Sequence, residues 1–396
     1  MVRLWRFAVQ EGSGPEEPSN TRVSIKGVYA LAFTHDFKCF AGRAAAIALT
    51  GALALSALSA PATAQDEVRW KLQTAFSPDL PGLGSPAAYL SEQVDAASGG
   101  RVQIRVFEPG KLVPTLEIAE AVSTGKIQAG FSATAYEQGQ VPAASLFNSP
   151  PFGLKPWAFM AWYYEGGGHE MLQELFQDEG YNIHFELCGL TGPETAGWYK
   201  EPIESVEDYD GMNIRFAGLG SEVIKQYGAS VTLMGGSKIF QALQTGQLDA
   251  TEFSMPMIDR LLGFDKVANY NLFPGWHAPA NAVYLFVNSE SWNEASEANQ
   301  ALVKNVCRAA TATSLAQNEY NNGQILETYQ EKGVNIQDIP RETLKKLQAT
   351  TEEVLQAEAE RDADFKRIWQ SQKDFQKTHR LWEKRAHLPA DFYDSE

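Results

Sequence analysis

Gly211 to Asp259 reads GMNIRFAGLGSEVIKQYGASVTLMGGSKIFQALQTGQLDATEFSMPMID, and its spacing predicts strand, helix, strand, helix, strand. Met212–Phe216 is the first expected strand, with a cation, Arg215, inside it. Ser221 is placed to cap a helix running to Gly228, because Val223, Ile224 and Tyr227 fall on one face. Ala229–Leu233 forms the next strand. Gly235-Gly236-Ser237 then opens a helix whose Ile239, Ala242 and Leu243 share a face, and Gly246 stops it. Leu248–Phe253 is the third strand and ends beside a carboxylate, Glu252. Two opposite charges thus stand at strand ends of one α/β unit, where open α/β sheets take their ligands. Arg215 is the candidate holder of a small carboxylate, and Glu252 a candidate holder of a cation.

Working outward, Ala121–Ala129 (AVSTGKIQA) matches Ala242–Ala250 (ALQTGQLDA), each reading as helix, glycine stop and strand. The pattern implies two similar α/β lobes facing one another. Ser132–Tyr136 from one and Glu252-Phe253 from the other would then face the gap. Upstream, Val68–Ala75 alternates as an opening strand, Pro86–Ala97 as an amphipathic helix and Val102–Phe107 as a strand after Gly99-Gly100. A helix near Thr115–Thr124 and a strand at Lys126–Ser132 continue this doubly wound order. The aromatic-rich Pro142–Tyr164 is expected near the gap. Gly166-Gly167-Gly168-His169 lacks the lysine of a phosphate loop and reads as a turn before the helix Glu170–Gln177. Tyr181–Leu187 is a strand, Cys188–Trp198 a loop into the second lobe, and Val283–Asn288 a strand returning to the first. One long helix is expected from Asn293 to about Leu326.

The formal net charge of −16 across 396 residues excludes a basic nucleic-acid footprint. An anionic ligand therefore needs a local cation, which Arg215 supplies. Ala44–Ala60 is an apolar run of small residues after Lys38 and Arg43, followed by Ala62-Thr63-Ala64 and then polar residues. That is the layout of an export signal, and the run is too short and alanine-rich for a membrane span. Residues 1–64 are accordingly expected to be a removed leader and the mature chain to be periplasmic. Cys188 and Cys307 remain after removal; because Cys307 reads as mid-helix, free buried thiols are the expectation over a disulfide. Residues 65–188 with about 283–325 are assigned to lobe I, and 189–282 with about 326–340 to lobe II. Residues 341–396 form a C-terminal helical arm. From Arg341 to Leu388 there is no Gly or Pro, and Leu344, Leu347, Val354, Leu355, Phe365, Ile368, Trp369, Phe375, Leu381 and Trp382 mark an apolar face. Such an arm either wraps its own lobes or embraces a second subunit, and its length and aromatic content favour the dimer.

No nucleophile elbow, zinc-protease helix, P-loop or dinucleotide fingerprint is present, and the histidines lack metal-ligand spacing. Binding is therefore expected rather than catalysis. Each candidate also has a plain reading: Arg215 as an edge-strand cation, Glu252 as a solvated strand-end acid, Glu194 as a solvated loop acid. If they converge, two carboxylates and a ligand oxygen suit Na⁺ or Ca²⁺ better than zinc.

At these residues the chain resembles the solute-binding proteins of tripartite ATP-independent periplasmic (TRAP) transporters. The resemblance rests on Phe107–Pro114 (FEPGKLVP), Pro193–Trp198 (PETAGW), Gly211–Arg215 (GMNIR), Leu248–Phe253 (LDATEF), Leu262–Phe264 (LGF) and Pro274–Trp276 (PGW). It implies an α/β, two-lobed periplasmic-binding-protein fold with mixed sheets, a ligand cleft between the lobes and long C-terminal helices. It also implies a non-enzymatic protein that hands its ligand to a pair of membrane permease subunits. The branch most similar binds 2-oxo acids such as pyruvate, or lactate, with a metal ion; the alternatives are an aromatic or sugar carboxylate on the same scaffold, and an exported enzyme built on it. By that resemblance Arg215 pairs with the ligand carboxylate. Glu252, the carbonyl of Phe253 and a side-chain oxygen of Glu194 hold the metal, and Tyr136 contacts the ligand. The branch tends to carry Trp at Phe253 and an acid or amide at Ala278; Trp276, His277 and Asn281 stand near enough to compensate. A C-terminal helix exchanged between subunits in that branch implies a homodimer.

Overall fold

The computed structural model describes residues 67–388, so the expected leader lies outside the described residues. In chain order the elements are β1 (Val68–Thr74), α1 (Ser85–Ser98), β2 (Val102–Phe107), α2 (Ile118–Ser123) and β3 (Ala129–Ser132). α3 (Pro156–Glu165), α4 (Gly168–Asp178) and β4 (Ile183–Thr191) follow. The middle of the chain gives β5 (Gly197–Tyr199), β6 (Asn213–Arg215), α5 (Leu219–Lys225), β7 (Ser230–Thr232) and α6 (Ile239–Gln244). Next come β8 (Ala250–Thr251), α7 (Pro256–Leu262), β9 (Tyr270–Phe273) and β10 (Asn281–Asn288). α8 (Ser289–Glu294), α9 (Glu297–Glu331), β11 (Asn335–Asp338), α10 (Arg341–Arg361) and α11 (Ala363–Ala386) complete it.

These strands form two mixed sheets, ordered β2-β1-β3-β10-β4 and β11-β9-β5-β8-β6-β7. In the first, β1 runs parallel to β2 and β3, while β10 lies antiparallel between β3 and β4. The seven residues of β10 after Asn281 are all buried, as a strand covered on both faces requires. In the second sheet, β6 is parallel to both β7 and β8, and β5 pairs antiparallel with β8 and β9. Two short segments join the sheets: residues 192–196 lead from β4 to β5, and residues 274–280, which include a turn at 276–277, return from β9 to β10. They touch at Gly275, where a Cβ would lie 2.1 Å from the Glu194 carbonyl oxygen. Only glycine permits that approach.

The internal repeat is reproduced bond for bond. After α2, the amide and hydroxyl of Thr124 both donate to the Glu120 carbonyl, and Ile127 N–H donates to Ala121 O. After α6, Thr245 donates in the same two ways to Gln241 O, and Leu248 N–H donates to Ala242 O. Gly125 (φ 72°) and Gly246 (φ 79°) make the reversal. Each copy delivers a strand parallel to its neighbour, β3 beside β1 and β8 beside β6.

Several expectations are corrected. Gly218, not Ser221, occupies the cap of α5, and the helix starts at Leu219 because Ser221 already lies in its first turn. Cys188–Trp198 is not wholly loop: β4 continues to Thr191 and β5 begins at Gly197. The long helix is two, because Asn288 caps α8 and Ser296 caps α9, whose 35 residues then run to Glu331. Cys188 and Cys307 are not free thiols. They form a disulfide between β4 and α9, since α9 lies directly along β4, where Ser314 Oγ donates to Leu190 O and accepts from Leu190 N–H.

The arm packs on its own chain. Gln372 donates to Leu146 O, Ser371 accepts from the Trp162 indole, and Lys155 meets Glu383 at 2.7 Å. Phe365, Ile368 and Trp369 are buried there, whereas Leu381 and Trp382 near the end of α11 stay about two-thirds exposed, at 64% and 66%. Among the described residues no helix is long and apolar enough to cross a membrane.

Candidate functional site

Arg215 ends β6 and Glu252 directly follows β8, its parallel neighbour, so backbone pairing alone sets the two side chains together. The guanidinium is 2% exposed, which excludes the solvent-facing edge cation. Its Nη1 donates to Glu252 Oε1 at 2.5 Å and to the Glu252 carbonyl at 2.8 Å, and its Nε donates to Met234 O at 3.2 Å. Ala217 N–H supplies Glu252 Oε1 with a further bond at 2.6 Å. The Phe253 ring lies 5.2 Å from the guanidinium carbon, a cation–π arrangement.

The two joining segments bring the rest. Glu194, on the first, and His277, on the second, meet at 3.2 Å, Nε2 to Oε2. The same His277 Nε2 lies 3.6 Å from Glu252 Oε2. Asn281, the first residue of β10, donates to Glu194 Oε1 at 2.6 Å, and Asn148 donates to Asn281 Oδ1 at 2.7 Å. A chain of polar contacts therefore runs Asn148, Asn281, Glu194, His277, Glu252, Arg215, linking both sheets. Glu194 and Glu252 are both buried, so neither is a solvated loop or strand-end acid.

Buried charges persist only in company. Burial pulls the His277 imidazole down, yet its contacts with Glu194 and Glu252 reverse this and raise it to about 9. Burial pushes Glu194 up, opposed by the His277 hydrogen bond and reinforced by the Glu252 charge. For Glu252 burial acts upward too, but Arg215 foremost, and then His277, hold it below its ordinary value. Tyr136 is raised by burial, with Arg215 pulling it partly back.

These groups line a cavity of about 20 Å³, together with Tyr136, Phe253 and Phe76. Tyr136 comes from the turn after β3 and Phe253 from the end of β8, the two facing positions that the repeat implies. Arg215, Tyr136, Glu194, Glu252, Phe253 and His277 are thus brought together. Trp276 is not: it packs between Phe152 and Phe216, at 5.8 and 6.2 Å, and is absent from the cavity lining. Ala278 contributes only its carbonyl, which accepts Glu194 N–H at 3.0 Å. Asn148 and Phe76 escaped sequence reasoning. Phe76 lies just beyond β1, so the strand-end rule that selected Tyr136 applies to it equally; Asn148 acts through Asn281 and carries no such signal.

One ligand atom from each of Glu194, Glu252 and His277 lies within 4.8 Å of the others, all three residues buried. This donor set offers a cation two carboxylates and an imidazole nitrogen, in competition with the His277 proton that the same carboxylates hold.

The family model for the bacterial extracellular solute-binding protein, family 7, matches residues 77–362. A monocarboxylate 2-oxoacid-binding periplasmic protein of Nostoc sp. is 31% identical over 315 residues, covering 80% of this chain and 86% of that one. A TRAP solute-binding protein from Pseudoalteromonas atlantica, solved with bound sodium and pyruvate, superposes with a TM-score of 0.78 at 29% identity, over 83% of this chain and 99% of that one. Another, from Bordetella bronchiseptica, superposes equally at 30% identity over 80% and 94% of the two chains. It is described as a mixed-occupancy dimer with calcium and picolinate in one site.

Proposed function

The chain belongs to the bacterial extracellular solute-binding proteins of family 7, binding proteins rather than enzymes, and from that premise we propose that it captures a 2-oxo acid such as pyruvate, or a 2-hydroxy acid such as lactate, with a sodium or calcium ion. The observation that carries this reading is the buried chain of charges that runs from Arg215 and Glu252, at the ends of parallel strands, to His277 and Glu194 on the two joining segments. In this reading Arg215 exchanges its bond to Glu252 for two parallel bonds to the ligand carboxylate, which its planar fork favours. Glu252, Glu194 and the Phe253 carbonyl hold the cation, with His277 balancing charge between the two acids. A bound cation supplies a Lewis acid to the ligand oxygens and cancels carboxylate repulsion. Tyr136 packs against the ligand. Relatives at about 30% identity carry sodium or calcium beside a small carboxylate, which supports the cation.

The proposal extends to the whole chain. The two sheets act as two lobes, 65–188 with about 283–325 and 189–282 with about 326–340, closing on the ligand. The protein works in the periplasm after loss of residues 1–64 and delivers its ligand to the TRAP permease subunits. The exposed Leu381 and Trp382 meet a second copy in a homodimer, as the dimeric relative supports.

Calorimetric titration of the purified mature chain with pyruvate and lactate tests the core claim. Arg215→Ala should weaken binding by 100-fold or more, and unchanged affinity would remove the anchor. A monomer in light scattering at micromolar concentration would remove the dimer.

A further inference from the structure

A groove of about 510 Å³ opens between α10, α11 and the loop 150–154. Its lining includes Pro150, Leu154, Leu355 and Trp369, all buried, and the half-buried Phe152. One wall is a stripe of cations, Lys373, Lys377, Arg380 and Lys384, spaced four, three and four residues apart and so on one side of α11. Lys373 stands 3.3 Å above the Trp369 ring. The ion pairs that α11 makes among the described residues use Arg367 and Glu383 and leave these four cations without a carboxylate. Glu352 of α10 is the one acid in the lining. In a chain of net charge −16, such a basic wall calls for an acidic occupant. The loop beneath is strained: Phe152 has φ 53°, a conformation that a bulky side chain adopts at a cost. Its N–H donates to Trp276 O at 2.8 Å, and Asn148 and Ser149, just before the loop, line the polar cavity.

We propose that the groove receives residues 389–396 of this same chain. They read PADFYDSE, follow directly after α11 and Leu388, and lie outside the described residues. Three acids, Asp391, Asp394 and Glu396, accompany two aromatic rings, Phe392 and Tyr393. That is the complement of a basic wall beside an apolar lining. Pro389 suits a chain that leaves a helix. From Lys384 back to Lys373 is about 16 Å along α11, at ~1.5 Å per residue. Six extended residues, 391–396, reach about 20 Å, so the segment is long enough to run back antiparallel to α11. Exposed ion pairs contribute little singly; the two rings against the apolar lining retain the segment, and the acids set its register. So seated, it packs on the loop 150–154 and holds Phe152 in its strained conformation, in contact with the joining segment that carries His277.

Disulfide trapping in the full mature chain tests this, because Cys188 and Cys307 are already bonded to each other. Gln376 lines the groove, and Ser395 falls beside it in the antiparallel run; Thr378, exposed and outside the lining, is the control. Gln376→Cys/Ser395→Cys should bridge within one chain at least tenfold faster than Thr378→Cys/Ser395→Cys, read by non-reducing electrophoresis and peptide mapping. Lys377→Glu with Arg380→Glu should remove that advantage, and adding Asp391→Lys with Asp394→Lys should restore it. Equal rates for the two pairs, a bridge formed only between chains, or indifference to charge reversal would overturn the proposal. Hydrogen exchange reads the bracing at Phe152, Gly153 and Leu154, since the two prolines before them carry no amide hydrogen. Exchange there should be at least fivefold faster in the charge-reversed protein and return to the parent rate in the charge-swapped one. Exchange that stays at the parent rate after charge reversal would overturn the bracing. Neither readout uses a ligand, so the outcome is independent of what the polar cavity binds.

Discussion

At the scale of single residues, the cavity balances two acids against two cations, and each substitution reports on that balance. Removing one partner of a buried pair strands the other, at a cost of about 3–5 kcal/mol. His277→Ala leaves Glu194 and Glu252 facing each other and should lower unfolding free energy by about that much in urea titration. Glu252→Gln keeps the shape but removes a negative charge from the proposed cation site; if the cation is needed, it should weaken binding of a 2-oxo acid at least tenfold by calorimetry. Glu137, one residue past Tyr136, gives a separate pH signature. Burial, and then the Glu120 charge, raise it to about 7. Between its ordinary range near 4.5 and pH 7 the folded chain keeps a proton that the unfolded chain has lost. Its contribution is therefore full below pH 4.5, falls as pH rises and is gone above 7. Glu137→Gln should be more stable than the parent at pH 8, by up to about 3 kcal/mol, and level with it at pH 4, in paired denaturant titrations.

At the scale of elements, the disulfide and the Gly275 contact carry the sharpest expectations. The Cys188–Cys307 bridge closes a sequence separation of 119 residues. Replacing both cysteines by serine should cost about 3–5 kcal/mol, read as a lowered urea midpoint that reductant no longer changes. The sequence hid this bridge because Cys307 does sit in mid-helix; what decides pairing is that the helix lies on β4, a tertiary fact. The repeat was legible, since threonine, glycine and spacing fix each helix stop locally. So were Arg215 and Glu252, through the strand-end rule and then the family motifs. The joining segments were less so. Nothing local marks 192–196 and 274–280 as touching, and Trp276 looked as well placed as His277 until its ring proved to be packed between Phe152 and Phe216. The cap of α5 was misread because Ser221 is a good cap by composition, while the backbone turn already occurs at Gly218 (φ 68°).

At the scale of the whole molecule, one long helix and two short segments tie the sheets together. α9 runs from its contact with β4 to Tyr329, whose hydroxyl donates to Pro256 O at the head of α7. Depleting sodium and calcium should weaken 2-oxo acid binding at least tenfold, with recovery on adding either ion, read by calorimetry. Glu194 and His277 lie on the two joining segments, and Gly275 holds those segments in contact. In the proposed reading, the residues that hold and balance the cation beside the ligand therefore also sit on the hinge, the pivot between the lobes. A ligand so held leaves only when the pivot flexes, so its escape rate is set by opening rather than by the number of its own contacts. Loosening the pivot, as by Gly275→Ala, should quicken both entry and escape in stopped-flow fluorescence. A membrane partner that bends these two segments needs no access to the cavity to empty it.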